Sequence, residues 1–147
     1  MGAGLIRPAT PADAPEIARL GRKFFDQAGW SELEYNEADC AAYLGRTIGK
    51  DHFICFVSGE PIHGMAAGMI GQAYFNASQT IGEELFWWAA APGAGVRLLA
   101  ALEGEARARG CVAFQMKNLA RLDGARVARL LERRGYRPSE SAFIKGL

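Results

Sequence analysis

The sequence predicts one α/β domain over residues 1–147, a mixed sheet with helices on both faces in the order β-α-α-β-β-β-α-β-α-β. Three observations carry that expectation. Apolar residues recur at helical spacing in four separated stretches. In the middle of the chain, short runs rich in β-formers are joined by turn residues, which makes antiparallel hairpins. Further on, a strand, a run of very small residues, a helix and another strand follow directly on one another, a β-α-β unit.

Leu5-Ile6-Arg7 reads as a short strand that stops at Pro8, which has no amide donor. Thr10-Pro11 has the pattern of a helix N-cap with proline in the first position. Ala14, Ile17, Leu20, Phe24 and Ala28 then keep helical spacing until Gly29 ends the helix. A second helix is expected from about Asn36 to Ile48, with Cys40, Tyr43, Leu44 and Ile48 on its apolar side. Phe53-Ile54-Cys55-Phe56-Val57 is a continuous apolar run, and Ser58-Gly59-Glu60-Pro61 is turn chemistry. Ile62 to Ile70 forms the returning strand, where Gly64 and Gly68 mark bulges or close backbone approach. Gln72 to Gln79 is expected to be loop and Thr80 to Trp88 the next strand. After a small-residue loop, Ala89 to Gly95, a helix runs to about Arg109 with Val96, Leu99, Leu102 and Ala106 on one face, and Gly110 terminates it. Cys111 to Met116 is a strand. Asp123 is expected to cap a last helix carrying Val127, Leu130 and Leu131, ended by Gly135, and Ser141 to Lys145 to close the sheet.

Composition narrows the function classes. A chain of 147 residues suits one domain that buries roughly 70% of its unfolded surface. The net charge of +1 argues against a nucleic-acid partner. Cys40, Cys55 and Cys111 are far apart and form no C-x-x-C, so neither a metal site nor a disulfide framework is expected. Reduced thiols in a cytoplasmic protein are. The chain opens without a charged segment followed by an apolar run, so no secretory leader is expected, and the sequon Asn76-Ala77-Ser78 is then without meaning. No apolar stretch reaches the ~20 residues of a membrane span.

The most informative stretch is Glu83-Glu84-Leu85-Phe86-Trp87-Trp88, followed by Ala89 to Gly95 and then Val96-Arg97-Leu98-Leu99. Small residues let backbone approach a ligand closely. A helix start offers unpaired amides and a positive dipole end, so a phosphate belongs there. No Gly-Lys-Ser/Thr follows, which rules out a Walker loop, and a third glycine is missing for a Rossmann turn.

This segment resembles the acetyl-coenzyme A motif of the GNAT superfamily, Gln/Arg-x-x-Gly-x-Gly/Ala between the fourth strand and third helix, at Ala90-Ala91-Pro92-Gly93-Ala94-Gly95. Leu5-Ile6-Arg7-Pro8-Ala9-Thr10 with Asp13 is similar to the family's opening, Leu130 to Tyr136 to its late helix and Gly-aromatic turn, and Phe143-Ile144-Lys145 to its terminal strand. Two positions depart from the pattern. Ala90 stands where the motif has Gln/Arg, and Leu131 stands where many members carry a tyrosine acid.

The resemblance implies a sheet splayed between strands 4 and 5, and acetyl transfer from acetyl-CoA to a primary amine by direct attack in a ternary complex. The cofactor contacts so implied are Trp88, Ala89, Ala90, Gly93, Ala94, Gly95, Val96, Arg97 and Asn118. A backbone amide near Trp88 or Ala89 would face the oxyanion. The amine must lose a proton before attack. Glu84 is the candidate base, with Glu83 second. Strand alternation puts the two on opposite faces, with Glu84 on the face of Phe86 and Trp88, where burial would raise its pKa. Tyr136 or Tyr74 are candidate acids for the departing thiolate, and bulk water is a third source of the proton.

Trp87 and Trp88 must face opposite ways, one into the core and one toward the cleft. His52 and His63 lack partner carboxylates at motif spacing and read as structural. Residues 26 to 39 hold five acids and no Lys or Arg. That is either a solvated face or a rim drawing a cationic acceptor such as a polyamine, aminoglycoside or basic peptide. Nine arginines lie from Arg97 to Arg137, serving either the 3′-phosphate of CoA or plain helix surface. The partner expected is thus a small-molecule or peptide amine, with a homodimer left open. The two departures keep a second reading alive, an acyl-CoA-binding module without activity. The near-zero net charge counts against a tRNA-directed acetyltransferase.

Overall fold

The computed structural model describes residues 4–119 and 123–147. Its elements are β1 (Ile6–Pro8), α1 (Ala14–Ala28), α2 (Glu37–Thr47), β2 (Phe53–Ser58), β3 (Gly64–Ala73), β4 (Asn76–Ala89), α3 (Ala94–Ala108), β5 (Cys111–Gln115) and α4 (Gly124–Arg133). The strands lie in the sheet in chain order. The first four pair antiparallel, and α3 returns the chain so that β5 runs parallel to β4.

The sheet is covered on both faces. Ile17, Leu20 and Phe24 of α1 and Leu44 of α2 pack on Phe53, Val57 and Met65. Leu98, Leu102 and Ala106 of α3 pack on Ile54 and Ala66 from the other side. A leucine such as Leu98, fully buried, contributes about 2–5 kcal/mol against truncation to alanine. Local chemistry sets the ends. Gly29 closes α1 at φ 74°, and the Asn36 side chain caps α2 by accepting from the Asp39 amide at 2.9 Å. Gly135 closes α4 at φ 93°, with the Tyr136 amide reaching back to the Leu131 carbonyl at 3.0 Å.

Several expectations are corrected. Thr10-Pro11 opens a 3-10 turn, Pro11–Asp13, before α1 begins at Ala14. The Asp13 carboxylate takes the Thr10 amide at 2.8 Å and both guanidinium nitrogens of Arg7 at 2.8 and 2.9 Å. β4 starts at Asn76, not Thr80, because Asn76 pairs with Ala73 across the tip Tyr74-Phe75; the register jumps between that pair and Gln72↔Thr80. Asp123 is in the left-handed region, φ 53°, and its side chain makes no capping bond. Residues 137–147 form neither helix nor strand, so the expected closing strand at Ser141–Lys145 is absent. Adjacent Phe143 and Ile144 would point to opposite faces of a strand. Neither finds cover here; Phe143 is 97% exposed.

Candidate active site

β4 and β5 pair from Thr80↔Cys111 to Glu83↔Gln115 and then part. The chain beyond β5 next touches β4 through a side chain: the Lys117 amide donates to the Glu84 carboxylate at 2.9 Å. From Leu85 to Ala89, β4 keeps β3 on one side, and among the described residues no strand pairs its other edge. That edge is a row of free backbone donors and acceptors. This is the splayed sheet that the resemblance implied.

A bulge accompanies the parting. Ala67 pairs with Phe86 while its neighbour Gly68 pairs with Glu84, so Leu85 is the extra residue. The consequence is a correction. Directly paired residues share a face, and a Cβ on Gly68 would meet the Phe114 ring at 3.1 Å, on the α3 side. Glu84 is therefore on the α3 side, whereas Phe86 and Trp88 pack on the α1–α2 side. Glu84 does not share their face, because the bulge inverts the alternation. Glu83, paired with Met69, is left on the α1–α2 side and exposed. Glu84 itself is 5% exposed. Burial pushes its carboxyl up to about 7, against the Lys117 amide, which favours the ionised form.

Past the fork, Ala89 gives way to the small-residue turn and α3. Gly93 adopts φ 78°, which only glycine takes freely, and places the start of α3 at the end of β4's open edge. The Ala94 and Arg97 amides are occupied by the Ala91 and Gly93 carbonyls, both at 3.3 Å. The Gly95 and Val96 amides, in the first turn, have no such acceptor among the described residues. The side chain of Arg97 folds back toward Gly93, and its Nη2 is buried with no hydrogen-bond partner among the described residues. A buried guanidinium donor left open at a helix start suits an incoming phosphate oxygen. Trp88 and Ala89 are partly buried on the open stretch, and Ala90 is exposed with its amide tied to the His63 carbonyl at 2.8 Å.

One contact was not legible in the sequence. Trp87, on the α3 side, donates its indole N–H to the Gly95 carbonyl at 2.8 Å and pins the turn to the strand. The adjacent tryptophans did signal opposite faces, but nothing in the pattern signals that bond. Likewise the His63 ring lies over Gly59, where a Cβ would come within 2.1 Å. Its Nδ1 is buried without a hydrogen-bond partner among the described residues.

Other candidates have partners of their own. The Tyr136 hydroxyl donates to Glu103 of α3 at 2.7 Å, and burial together with that carboxylate raises its pKa. Asn118 donates to the Gly124 carbonyl at 2.9 Å and ties the post-β5 segment to α4. Tyr74 sits at the β3–β4 tip, ten residues before Glu84 in the chain; the strand from Asn76 to Glu84 alone spans roughly 25 Å at about 3.3 Å per residue. That distance keeps its hydroxyl from the departing thiolate. Leu131, at the family's tyrosine position, is buried core. Of the nine arginines, Arg121 lies outside the described residues. Arg134 pairs with Glu103 at 2.7 Å, and Arg109 caps the Lys50, Asp51 and Phe53 carbonyls at 3.0–3.3 Å. On the opposite face of β4, α1 and α2 flank a half-open apolar cavity of about 330 Å3 that reaches Leu85 and Phe86. Among the described residues no three metal-ligating side chains come together, and no helix is long and apolar enough to cross a membrane.

Comparison with known proteins agrees with this architecture. No family model and no curated protein matches the sequence. Solved structures do. A protein of Arthrobacter sp. FB24 assigned as an acetyltransferase is 21% identical, with a TM-score of 0.77 over 100% of this chain and 94% of that one. A predicted acetyltransferase of Clostridium acetobutylicum, solved with acetyl-CoA, is 14% identical, with a TM-score of 0.73 over 96% and 94%. A GNAT family acetyltransferase of Staphylococcus aureus is 20% identical, with a TM-score of 0.68 over 99% and 100%. The fold is that of the GNAT acetyltransferases.

Proposed function

We propose that this protein is an acetyl-CoA-dependent N-acetyltransferase that moves an acetyl group to a primary amine. One observation carries the reading. β4 parts from β5 at Glu84, and its free edge leads straight into a helix start whose Gly95 and Val96 amides and buried Arg97 nitrogen lack partners. A strand edge with free amides suits the amide-rich pantetheine arm. The helix start suits the diphosphate. Acetyl-CoA, when bound, supplies a thioester, whose sulfur is a fair leaving group. Ala90 offers no side chain there, so backbone and Arg97 bear the anion, and Asn118 follows directly on Lys117, whose amide holds Glu84.

The chain's own residues then do the following. The Ala89 amide, which points to the open edge because its neighbour Ala90 bonds the β3 side, holds the carbonyl oxygen. Glu84, at the fork and half ionised near neutral pH, takes the proton of the attacking amine directly or through water. Tyr136, held by Glu103, positions the α4 end against α3, and water protonates the thiolate.

The test is calorimetric titration with CoA, followed by thiol release from acetyl-CoA over a panel of amines. Micromolar CoA binding with amine-dependent release is expected. Binding without release for any amine would favour the non-catalytic acyl-CoA-binding module, and no binding by folded protein would end both readings.

A further inference from the structure

The cavity between the α1–α2 pair and the sheet has properties that the fold alone does not require. We infer that it seats the body of the acceptor, and that this acceptor is an amine carrying an aromatic or branched apolar group on a short arm. The inference rests on the acetyltransferase reading above.

The lining chemistry comes first. Phe24, Trp30, Tyr35, Tyr43, Met65 and Phe86 supply most of the wall, and no Asp, Glu, Lys, Arg or His side chain contributes. Both tyrosine hydroxyls are already engaged, Tyr35 with the Ala18 carbonyl and Tyr43 with the Met69 sulfur at 3.8 Å. A hydroxyl-rich or polycationic ligand would leave its own polar groups unpaired inside. The acidic stretch does not help it: none of its five carboxylates lines the cavity, and Glu37 faces Arg22 at 3.9 Å. Size agrees. The volume of about 330 Å3 is roughly twice the ~150 Å3 that holds one benzene. It accommodates a phenylalkyl or two-ring group, not an aminoglycoside.

The wall is built in advance. A Cβ on Gly21 would come within 2.6 Å of the Tyr35 hydroxyl, so the bare glycine lets that ring lie across α1. Phe24 and Trp30 meet edge to face at 6.1 Å between centroids, which stiffens the same side. The cavity reaches β4 at Leu85-Phe86, the bulge where the open edge begins. A body seated there lies on the α1–α2 side of β4, so its amine reaches Glu84, on the α3 side, only through the gap where β5 has parted from β4.

The experiment is thiol release from acetyl-CoA with 2-phenylethylamine, tryptamine, n-butylamine, spermidine and kanamycin. The expected kcat/KM for the two arylethylamines exceeds that for butylamine by about ten- to a hundredfold, with spermidine and kanamycin near background. Cys40→Phe, which fills the cavity from α2, should abolish the preference and leave CoA affinity unchanged. Should that variant fail to fold, calorimetry of the wild type with 2-phenylethanol, which cannot react, provides a second readout; binding is expected. Equal or better rates with spermidine or kanamycin would overturn the inference. So would a rate that climbs from acetyl- to hexanoyl-CoA, which would put the acyl chain in the cavity. Phenylethanol failing to bind a protein that binds CoA would sink this inference alone, whereas loss of CoA binding itself would sink the acetyltransferase reading.

Discussion

Replacing Glu84 by glutamine is expected to raise stability above neutral pH while removing activity, and the size of the gain follows from the site. The free side chain titrates near 4.5, and burial raises it to about 7 in the folded protein. Between these pH values the folded chain keeps a proton that the unfolded chain has released. Stability therefore falls as pH rises through that window and levels off above about 7. The separation from 4.5 to about 7 corresponds to about 3 kcal/mol. Glutamine fills the same volume, and its amide oxygen can accept from the Lys117 amide as the carboxylate does. The variant should thus match the wild type near pH 5 and exceed it by up to about 3 kcal/mol at pH 8, or roughly 6–12 °C in melting temperature. Thermal and urea unfolding followed by circular dichroism at pH 5, 6, 7 and 8 measures this. A difference that does not change with pH, or a glutamine variant less stable at pH 8, would refute the account of a neutral, buried acid. In the same preparations, thiol release should fall by about 10²–10⁴, and the wild-type rate should rise with pH through about 7.

Three further outcomes are expected. Gly95→Glu should fold, since its Cβ would sit 3.7 Å from the Trp87 ring. It should weaken CoA binding at least about tenfold in calorimetry by placing a negative charge at the helix start. Gly59→Ala should cost about 2–3 kcal/mol in urea unfolding, because the added carbon lies 2.1 Å from the His63 ring at a φ of 89°. Arg7 holds the Asp13 carboxyl down to about 2, so its stabilisation is present above about 4 and is lost as pH falls toward 2. The pair lies near the surface, with Arg7 36% exposed, so Asp13→Asn should remove only about 1 kcal/mol, read as a flatter acid limb in unfolding curves.

Much of this molecule was legible in the residue pattern because short-range physics writes it there. Ala14, Ile17, Leu20, Phe24 and Ala28 bury one stripe of α1, and Gly29 and Gly135 take the left-handed conformations that end their helices. The run Phe53 to Val57 has nearly every side chain covered because both sheet faces are packed. The small-residue turn before α3 announced itself by what it lacks, side chains that would keep backbone from a ligand.

The pattern misled where a residue's fate depends on distant partners. Phe143-Ile144 looks like strand, yet a strand exists only with a neighbour to pair and a face to bury, and the described residues provide none. The polar start of β4 looks like loop, yet Asn76 finds Ala73 across a tight tip. Most consequential is Leu85. Counting by twos sets Glu84 beside Phe86, but one inserted residue turns the carboxylate to the other face.

The sequence by itself determined the order of the elements from β1 to α4 and the small-residue helix start, since these follow from periodicity, glycine and proline. Only the tertiary structure decided which face Glu84 occupies, that Trp87 anchors the turn, that the Nη2 of Arg97 is buried without a partner among the described residues, and that an aromatic cavity lies between the α1–α2 pair and the sheet. Those depend on register and on burial, which arise from contacts between segments far apart along the chain.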